Sequence, residues 1–482
     1  CQKQAGGSGE ELILSPLQKG EIMSASRGVV FAGVFVVAGA SAAFADPQTA
    51  AQLRDRALTD PTAYSVLESL TTQIGPRPVG TPAAHRAADW GVAKLKTLGF
   101  KNVHVETFAK PSWHRDAESA EVIAPFPQPL AVIGLGESVS TPPDGVEAQI
   151  VVLDNLNQMK SAAPDAFKGK IVVMNQPMTR SESGMGYGVA VAARSGESEA
   201  AKHGAIAYLT RSISTGTGRA PHTGATNYKD GAPKIPAGAL GVPDADLLAH
   251  MAARGPVRIH LKLLSHVDPD TQGYTVSGDI VGSAKPDEII VIGGHLDSWD
   301  PGTGAIDDGA GIAITTAAAH LIGALPHHPR RTIRVVMWGS EETEGSGAAY
   351  LAAHKDELSK FVLASESDFG SDRIYALTLP KGAFADPELA ALPGVLAPIK
   401  VMADPRPATN AGSDVEEIQG AGVPVFSLAQ DGMRYFDYHH SADDTLAIVD
   451  PEQLKQNVAA WAATLYMLAN SDIDFRASAA AK

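Results

Sequence analysis

Residues 288–300 read EIIVIGGHLDSWD, a short apolar run that passes through two glycines into a histidine and two aspartates. A continuous run of isoleucine and valine is typical of a strand that is buried on both faces of a parallel sheet. Ligands of such sheets bind beyond the carboxyl ends of the strands. The run therefore places His295 and Asp297 at a candidate functional site.

Strands and helices alternate on the C-terminal side of this run. We predict a helix over 312–325, a strand over 332–338 and a helix over about 345–358, with further strands at 361–364 and 423–427. This alternation predicts an α/β fold with a mostly parallel central sheet and helices on both faces.

The N-terminal side is organised differently. Residues 48–100 are predicted to be helical, whereas from 121 to 270 short apolar strands are separated by turns rich in glycine and proline. The polar stretch 211–233 is expected to be a long surface loop. We therefore expect one catalytic domain, made of 46–120 and 271–475, and a smaller inserted α/β or β-rich domain over 121–270.

Acidic and histidine side chains follow four of the predicted strands. Helix capping could explain any one of these clusters. Four of them at one edge of a sheet repel one another unless cations neutralise their carboxylates. Two divalent ions with oxygen and imidazole ligands would do so, because a carboxylate can bridge two metals.

Composition narrows the function further. The 482 residues carry a net charge of −15, which disfavours nucleic acid as a partner and predicts good solubility. Cys1 is the only cysteine, which excludes thiol catalysis, cysteine zinc sites and intrachain disulfides. The sequence contains neither H-E-x-x-H nor G-x-S-x-G. A metal must therefore be held by His, Asp and Glu.

The order and spacing of the clusters resemble the di-zinc exopeptidases of the aminopeptidase and glutamate-carboxypeptidase type. The motifs that carry the resemblance are GGHLDSWD at 293–300, AIDDG at 305–309, EE at 341–342, ESD at 366–368 and HHS at 439–441. In the middle region, PHTG at 221–224 and GAPKIP at 231–236 look like a protease-associated insert. The resemblance implies a zinc-exopeptidase fold, two zinc ions, a peptide substrate and, as a further expectation, a homodimer.

The resemblance also implies a set of metal ligands. His295 and Asp368 would hold one zinc ion, Glu342 and His440 would hold the other, and Asp307 would bridge the two. The family often has a cis peptide bond after the bridging aspartate. We therefore expect one between Asp307 and Asp308.

Two further residues are implied in catalysis. Glu341 would be the general base, which takes a proton from the attacking water and passes it to the leaving amine. Asp297, two residues after His295, would orient and polarise that imidazole.

The chain departs from the family's pattern at one position. Some relatives have a tyrosine directly before the last histidine ligand, where it can hydrogen-bond the oxyanion. Here that position is His439, and Tyr438 comes one residue earlier. The sequence leaves open which of the two side chains, if either, stabilises the oxyanion.

The first 45 residues are predicted not to belong to the fold. A basic residue, a short apolar run and an A-x-A cleavage site describe a secretory signal from Met23 to Ala45, with Asp46 as the first residue of the mature chain. The apolar run is too short to span a membrane. We expect residues 1–22 to be an upstream segment that is not native, and the protein to be secreted or periplasmic without a membrane anchor.

These observations predict an exported dinuclear zinc exopeptidase that hydrolyses dipeptides or short peptides. One alternative is a di-metal amidohydrolase or aminoacylase that acts on N-acyl amino acids. A second is a non-catalytic, receptor-like binding module, although all five candidate ligands and the candidate base are present. The sequence leaves open which end of a peptide is recognised and what the inserted domain does.

Overall fold

The computed structural model describes residues 45–480. The predicted upstream segment 1–22 and, except for Ala45, the predicted signal peptide lie outside these residues. Asp46 caps the first helix, because its carboxylate accepts hydrogen bonds from the N–H groups of Gln48 and Thr49. Within 45–480 no helix combines the length and the apolar character needed to cross a membrane.

The helices and strands of these residues are numbered in chain order. The helices are α1 (Pro47–Ala57), α2 (Thr62–Gln73), α3 (Pro82–Thr97), α4 (Leu156–Lys160), α5 (Gly186–Arg194), α6 (Glu197–Lys202), α7 (Val242–Ala252), α8 (Ala310–Gly323), α9 (Ser346–His354), α10 (Leu392–Leu396), α11 (Glu416–Gly420), α12 (Pro451–Asn470) and α13 (Phe475–Ala480). The strands are β1 (Lys101–Ala109), β2 (Ser112–Ala124), β3 (Gln128–Leu130), β4 (Val132–Gly134), β5 (Val146–Leu153), β6 (Ile171–Met174), β7 (Ala207–Arg211), β8 (Ala237–Leu240), β9 (Arg258–Asp268), β10 (Gln272–Ile280), β11 (Lys285–His295), β12 (Arg331–Trp338), β13 (Phe361–Glu366), β14 (Ile374–Thr378), β15 (Met402–Asp404) and β16 (Ser427–Gln430).

The central sheet has five strands in the order β1-β10-β12-β11-β13. Its β12, β11 and β13 are parallel, whereas β10 is antiparallel to both β1 and β12. The prediction of an α/β fold is confirmed, but the prediction of a mostly parallel sheet is wrong, because the sheet is mixed. The chain leaves this sheet along β1 and returns along β10, so these two strands run in opposite directions.

Strand β11 is covered by helices on both faces. Ile290 and Ile292 belong to a core that includes residues of α8 and α12, whereas Ile289 and Val291 face a second core that includes residues of α9 and α11. Successive residues of a strand point to opposite faces, so a strand that is buried on both sides is continuously apolar. The predicted arrangement of helices on both faces is confirmed.

A second sheet is built from the middle of the chain. Its eight strands have the order β3-β2-β9-β5-β6-β7-β8-β4 and lie between Ser112 and Asp268. The sheet curls until it is nearly closed, and the N–H group of Gly134 in β4 donates to the carboxylate of Glu118 in β2 at 2.7 Å. The division of the chain into an insert over 121–270 and a catalytic domain stays a prediction, as does the likeness to a protease-associated insert.

A third sheet has the order β15-β14-β16 and lies beyond β13 in the chain. The strand predicted at 423–427 is wrong in its position, because β16 begins only at Ser427. Val425 instead forms an isolated bridge with Ala364 of β13. Pro424 lies within this segment but does not change its apolar pattern, so periodicity alone could not place the start of the strand.

A partly buried cluster of charges ties β1 to α9. The carboxylate of Glu106 lies 2.9 Å from Nε2 of His104 and 2.8 Å from Nε2 of His354. Burial alone would raise the pKa of Glu106, but the hydrogen bonds to the two histidines prevail and lower it to about 2. Burial opposes protonation of His104 and His354, yet the same contacts raise both histidine pKa values.

Replacing Glu106 with glutamine is expected to destabilise the fold most between about pH 4.5 and pH 6.5, by about 1 kcal/mol for this partly solvated cluster. The contribution of Glu106 is lost as the pH falls below 4.5 toward 2, because its folded pKa is depressed. The contribution of the histidines is lost as the pH rises above 6.5 through their raised folded pKa values. Urea unfolding across this range measures the difference from wild type. Glu121→Gln on β2 is the exposed control, and an effect that does not change with pH would contradict the assignment.

Candidate metal centre

The predicted site residues meet at the carboxyl ends of the three parallel strands. His295 is the last residue of β11, and Glu341 and Glu342 follow β12. Asp368 lies two residues beyond β13. Asp307 lies in the segment Ala305–Gly309 that leads into α8, and its backbone is not helical. The last of them, His440, comes from the segment after β16.

Two glycines at the end of β11 allow this close approach. A Cβ atom at Gly293 would lie 2.0 Å from the carbonyl oxygen of Val336, and one at Gly294 would lie 2.4 Å from Oδ2 of Asp308. Both distances are far below van der Waals contact, so no other residue fits without displacing backbone or a buried carboxylate.

The carboxylate of Asp307 lies between two histidines. Its Oδ1 is 3.1 Å from Nε2 of His295, and its Oδ2 is 3.1 Å from Nε2 of His440. On the outer sides, His295 is 3.5 Å from Oδ1 of Asp368, and His440 is 3.0 Å from Oε2 of Glu342. The five residues thus form two histidine–carboxylate pairs that share one aspartate.

The donor set fits divalent cations. Oδ2 of Asp307 and Oδ1 of Asp368 are buried, and no donor within residues 45–480 hydrogen-bonds either atom. Unpaired buried oxygens are costly unless a cation satisfies them. Imidazole nitrogen and carboxylate oxygen are ligands that suit zinc. Three groups of three residues occur here whose potential ligand atoms lie within 4.8 Å of one another. These groups include Asp308 and His439 in addition to the predicted residues.

The electrostatics separate the roles of the carboxylates. Burial opposes ionisation of Asp307, but the neighbouring His295 and His440 hold its pKa well below the usual range. Burial raises the pKa of Glu341 well above the usual range, and although the charge of His295 opposes this, the charges of nearby carboxylates reinforce it. Asp307 is therefore the fixed anion at the centre, and Glu341 is a carboxylate with a high affinity for a proton.

Asp297 contacts both His295 and the glutamate pair Glu341–Glu342. Its carbonyl oxygen accepts a hydrogen bond from Nδ1 of His295 at 3.0 Å, which leaves Nε2 free to bind a metal. Its carboxylate accepts hydrogen bonds from the N–H groups of Glu341 at 3.0 Å and Glu342 at 3.3 Å. Asp297 therefore orients the glutamate pair as well as the imidazole, and its contact to the pair was not expected from the sequence.

Asp308 is a buried member of the centre that sequence reasoning did not assign. The expected cis peptide bond between Asp307 and Asp308 is confirmed. The carboxylate of Asp308 accepts hydrogen bonds from the N–H of His295 at 3.0 Å and the N–H of Gly311 at 2.9 Å. Asp308 thus fixes the end of β11 to the start of α8. In the sequence it is only the second aspartate of a pair, and no pattern distinguishes its role.

Two buried charged residues hold the loop before Asp307. The guanidinium of Arg77 donates to the carbonyl oxygens of Leu296 and Gly304. The carboxylate of Asp444 accepts from the N–H groups of Ala305 at 2.9 Å and Ile306 at 2.8 Å. Sequence reasoning missed both residues, because their partners are backbone groups that are far away in the chain.

His439 and Tyr438 line different cavities. The ring of His439 stacks on that of His440 with 3.5 Å between centroids, and its Nε2 lies 3.5 Å from Oδ2 of Asp307. Burial, reinforced by the charge of His440, lowers the pKa of His439 well below the usual range, so the ring is neutral. His439 lines the main cavity, whereas Tyr438 lines a small separate one. Of the two oxyanion candidates, only His439 faces the centre.

The middle region also reaches the centre. The N–H of Thr223 donates to the carbonyl oxygen of His440 at 2.9 Å, and the neighbouring His222 is 4% exposed. The prediction that 211–233 is a surface loop is therefore wrong for seven of its 23 residues, which are buried: 212–214, 222–224 and 226. The polar groups of these buried residues pair with backbone, as the N–H of Thr223 does.

A cavity of about 880 Å³ opens over these residues. Its lining includes carboxylates of the centre together with Tyr187, Val191 and Arg194 of α5. The volume is within the range of sites that bind small organic ligands, roughly 300–1,000 Å³.

Known sequences match most of the chain. Residues 275–465 match the description of peptidase family M28. Carboxypeptidase Q of Mus musculus is 37% identical over 413 residues, which cover 85% of this chain and 86% of that protein. The resemblance stated from the motifs is thereby confirmed.

Solved structures match the fold over a similar length. A peptidase M28 precursor from Shewanella amazonensis is 42% identical with a TM-score of 0.86, and the match covers 89% of this chain and 97% of that one. A zinc aminopeptidase from Bacillus subtilis has a TM-score of 0.61 at 17% identity and covers 86% and 96% of the two chains. At that identity the second match shows the fold alone.

Proposed function

The chain belongs to peptidase family M28 and is a zinc-dependent exopeptidase, and on this premise we propose that it binds two zinc ions and hydrolyses dipeptides or short peptides. In this proposal, His295 and Asp368 hold one ion and Glu342 and His440 hold the other. Asp307 bridges them. When bound, such ions polarise a scissile carbonyl and make water more acidic.

The residues around the ions supply the remaining chemistry. Glu341 accepts a proton from the attacking water and donates it to the leaving amine as the C–N bond breaks. Its carboxylate lines the cavity together with that of Glu342. Asp297 keeps Glu341 in place through the backbone N–H that it binds, and neutral His439 is placed to donate a hydrogen bond to the developing oxyanion.

The observation that carries this proposal is the position of Asp307. Each of its two oxygens faces a different histidine at 3.1 Å, and among the described residues no group meets Oδ2 with the geometry of a hydrogen bond. An aspartate that served only as an ion-pair partner would need one histidine. An aspartate that is shared by two metal ions is expected to have a further ligand of each ion, here a histidine, on either side.

Metal removal is expected to abolish peptide hydrolysis. Elemental analysis of the purified protein should find about two zinc ions per chain, as a bridged site requires. Chelation should remove the activity and lower the melting temperature, because the carboxylates lose their neutralising ions, and added zinc should restore both. Two ions without peptide cleavage would favour the N-acyl amino acid hydrolase instead. No bound metal, even after zinc is added, would favour the binding module.

Export is a further part of the proposal. It is supported by the signal-like segment Met23 to Ala45, together with the finding that Asp46 caps the first helix. The homodimer stays a prediction.

A further inference from the structure

The two proposed zinc sites take the support of their histidines from different parts of the chain. In the first site, Nδ1 of His295 faces the carbonyl oxygen of Asp297 at 3.0 Å, and its N–H donates to the carboxylate of Asp308 at 3.0 Å. Both partners lie outside the middle region, 121–270. In the second site, the carbonyl oxygen of His440 accepts from the N–H of Thr223 at 2.9 Å. Its Nδ1 faces the carbonyl oxygen of the same threonine at 3.4 Å. The histidine of the second site is therefore held by the middle region.

The backbone of His440 needs such support. Its φ is +60°, in the left-handed region that residues other than glycine seldom adopt. The N–H of Thr223 holds the backbone in this conformation, and the contact at Nδ1 leaves Nε2 directed at Glu342 and Asp307. A Cβ atom at Gly224 would lie 3.0 Å from Nδ1, so this segment packs directly against the imidazole.

Trp299 contacts both ligands of the second site. Its N–H donates to Oε1 of Glu342 at 3.3 Å. Its indole packs edge-on against the imidazole of His440, with 5.8 Å between the ring centroids. Trp299 is buried and lies four residues after His295, in the loop that follows β11. This one side chain can therefore affect the second site as a whole.

The middle region fits closely around the far end of the indole. A Cβ atom at Gly136 would lie 2.1 Å from Cη2 and 2.5 Å from Cζ3 of Trp299, so the ring fills the space of a side chain. The N–H of Gly136 donates to the carbonyl oxygen of Gly224 at 3.1 Å, and its carbonyl oxygen accepts from the N–H of Thr226 at 2.8 Å. The segment that holds His440 thus also holds the glycine against which Trp299 packs.

We propose that Trp299 is a positioning residue through which the middle region sets the zinc affinity of the Glu342–His440 site and not that of the His295–Asp368 site. The inference rests on the two zinc ions of the proposed function and adds to it a separate control of one of them. It also assigns a role to the middle region, which keeps the last histidine ligand in place.

The test is a zinc titration of the metal-free protein in competition with a chromogenic chelator, which resolves two binding steps. Wild type should bind two ions. Trp299→Phe leaves a gap between Gly136 and His440, and it should weaken one step by about 10–100-fold and leave the other unchanged. The unchanged step also shows that the variant is folded. Trp90→Phe is the matched control and should alter neither step, because Trp90 is similarly buried, 9% against 7% exposed, and its indole donates to Ser69.

Two background variants identify the weakened site. Asp368→Asn removes a proposed ligand of the first site, and adding Trp299→Phe to it should weaken the remaining ion by the same factor. Glu342→Gln removes a proposed ligand of the second site, and adding Trp299→Phe to it should have no further effect on the remaining ion. The reverse pattern would overturn the proposal.

A further variant tests the contact between the indole and the middle region. Gly136→Ala should weaken the same step, because the added methyl group displaces the ring. In the double variant the smaller phenylalanine ring leaves room for this methyl group, so the loss should not exceed that of Trp299→Phe alone. Gly218→Ala is the control, because a Cβ atom there meets no atom of the described chain within 4 Å.

The outcomes separate this role from the proposed function. Equal weakening of both steps, full affinity in both single variants, or a double variant that shows the sum of the two losses would overturn the role of Trp299. Wild type that binds fewer than two ions would show that the two-zinc proposal is wrong, and this inference with it. The titration needs no substrate, so two ions in a wild type that cleaves no peptide would refute the peptidase function and not the role of Trp299.

Discussion

Replacing Asp307 with asparagine is expected to reduce kcat/KM for a dipeptide by at least about 10³-fold and to lower the zinc content of the protein. Each oxygen of Asp307 faces one histidine of a proposed ligand pair, so a single change weakens both sites. Asparagine keeps the shape but loses the charge, and its amide nitrogen cannot bind a cation. Elemental analysis and dipeptide hydrolysis measure the two effects.

Asp300→Asn is a suitable control for this substitution. Asp300 follows β11 in the same loop as Asp297, but its carboxylate pairs with Arg115 at 2.9 Å. The Asp300→Asn variant should keep the zinc content of the wild type. If Asp307→Asn kept both ions and most of the activity, Asp307 would not be the bridge, and His439 or Asp308, which lie among the candidate ligand atoms, would have to replace it.

Replacing Glu341 with glutamine should lower kcat by about 10³-fold, within the range for loss of a general base, while the zinc content stays the same. Glutamine cannot accept the proton of the attacking water, but it preserves the packing and the backbone N–H that Asp297 binds. Elemental analysis and steady-state kinetics on one dipeptide separate the two readouts. Loss of zinc in parallel with activity would show that Glu341 is a ligand.

Glu344→Gln provides the matched control for Glu341. Glu344 lies three residues later in the same turn, and it is exposed. It should retain wild-type kinetics. A comparable loss in this variant would mean that the turn is sensitive to any change of charge, and the assignment of Glu341 as the base would lose its support.

The sequence predicted the parts of the fold that are governed by local apolar pattern. The runs Ile289–Ile292 and Val335–Trp338 are continuously apolar because both faces of the central sheet are covered, and each was placed on a strand. The direction of β10 could not be predicted in this way. The direction of this strand depends on how the chain returns from the second sheet. A short stretch of sequence has the same apolar pattern whether its strand is parallel or antiparallel to its neighbour.

The site was predictable to the extent that its residues follow strands. His295, Asp307 and Glu341 lie at strand ends or in motifs, whereas Asp308, Arg77 and Asp444 act through contacts that the linear pattern does not contain. The partners of Arg77 and Asp444 are backbone groups that are far away in the chain. Only the fold brings these groups together.

The buried residues of the stretch 211–233 have a consequence for protein engineering. The N–H of Thr223 donates to the carbonyl oxygen of His440, and a Cβ atom at Gly224 would lie 3.0 Å from Nδ1 of the same histidine. A substitution at either position therefore acts on the last histidine of the centre as well as on its own segment. The middle region cannot be exchanged for that of a relative as an independent module unless these two contacts are kept.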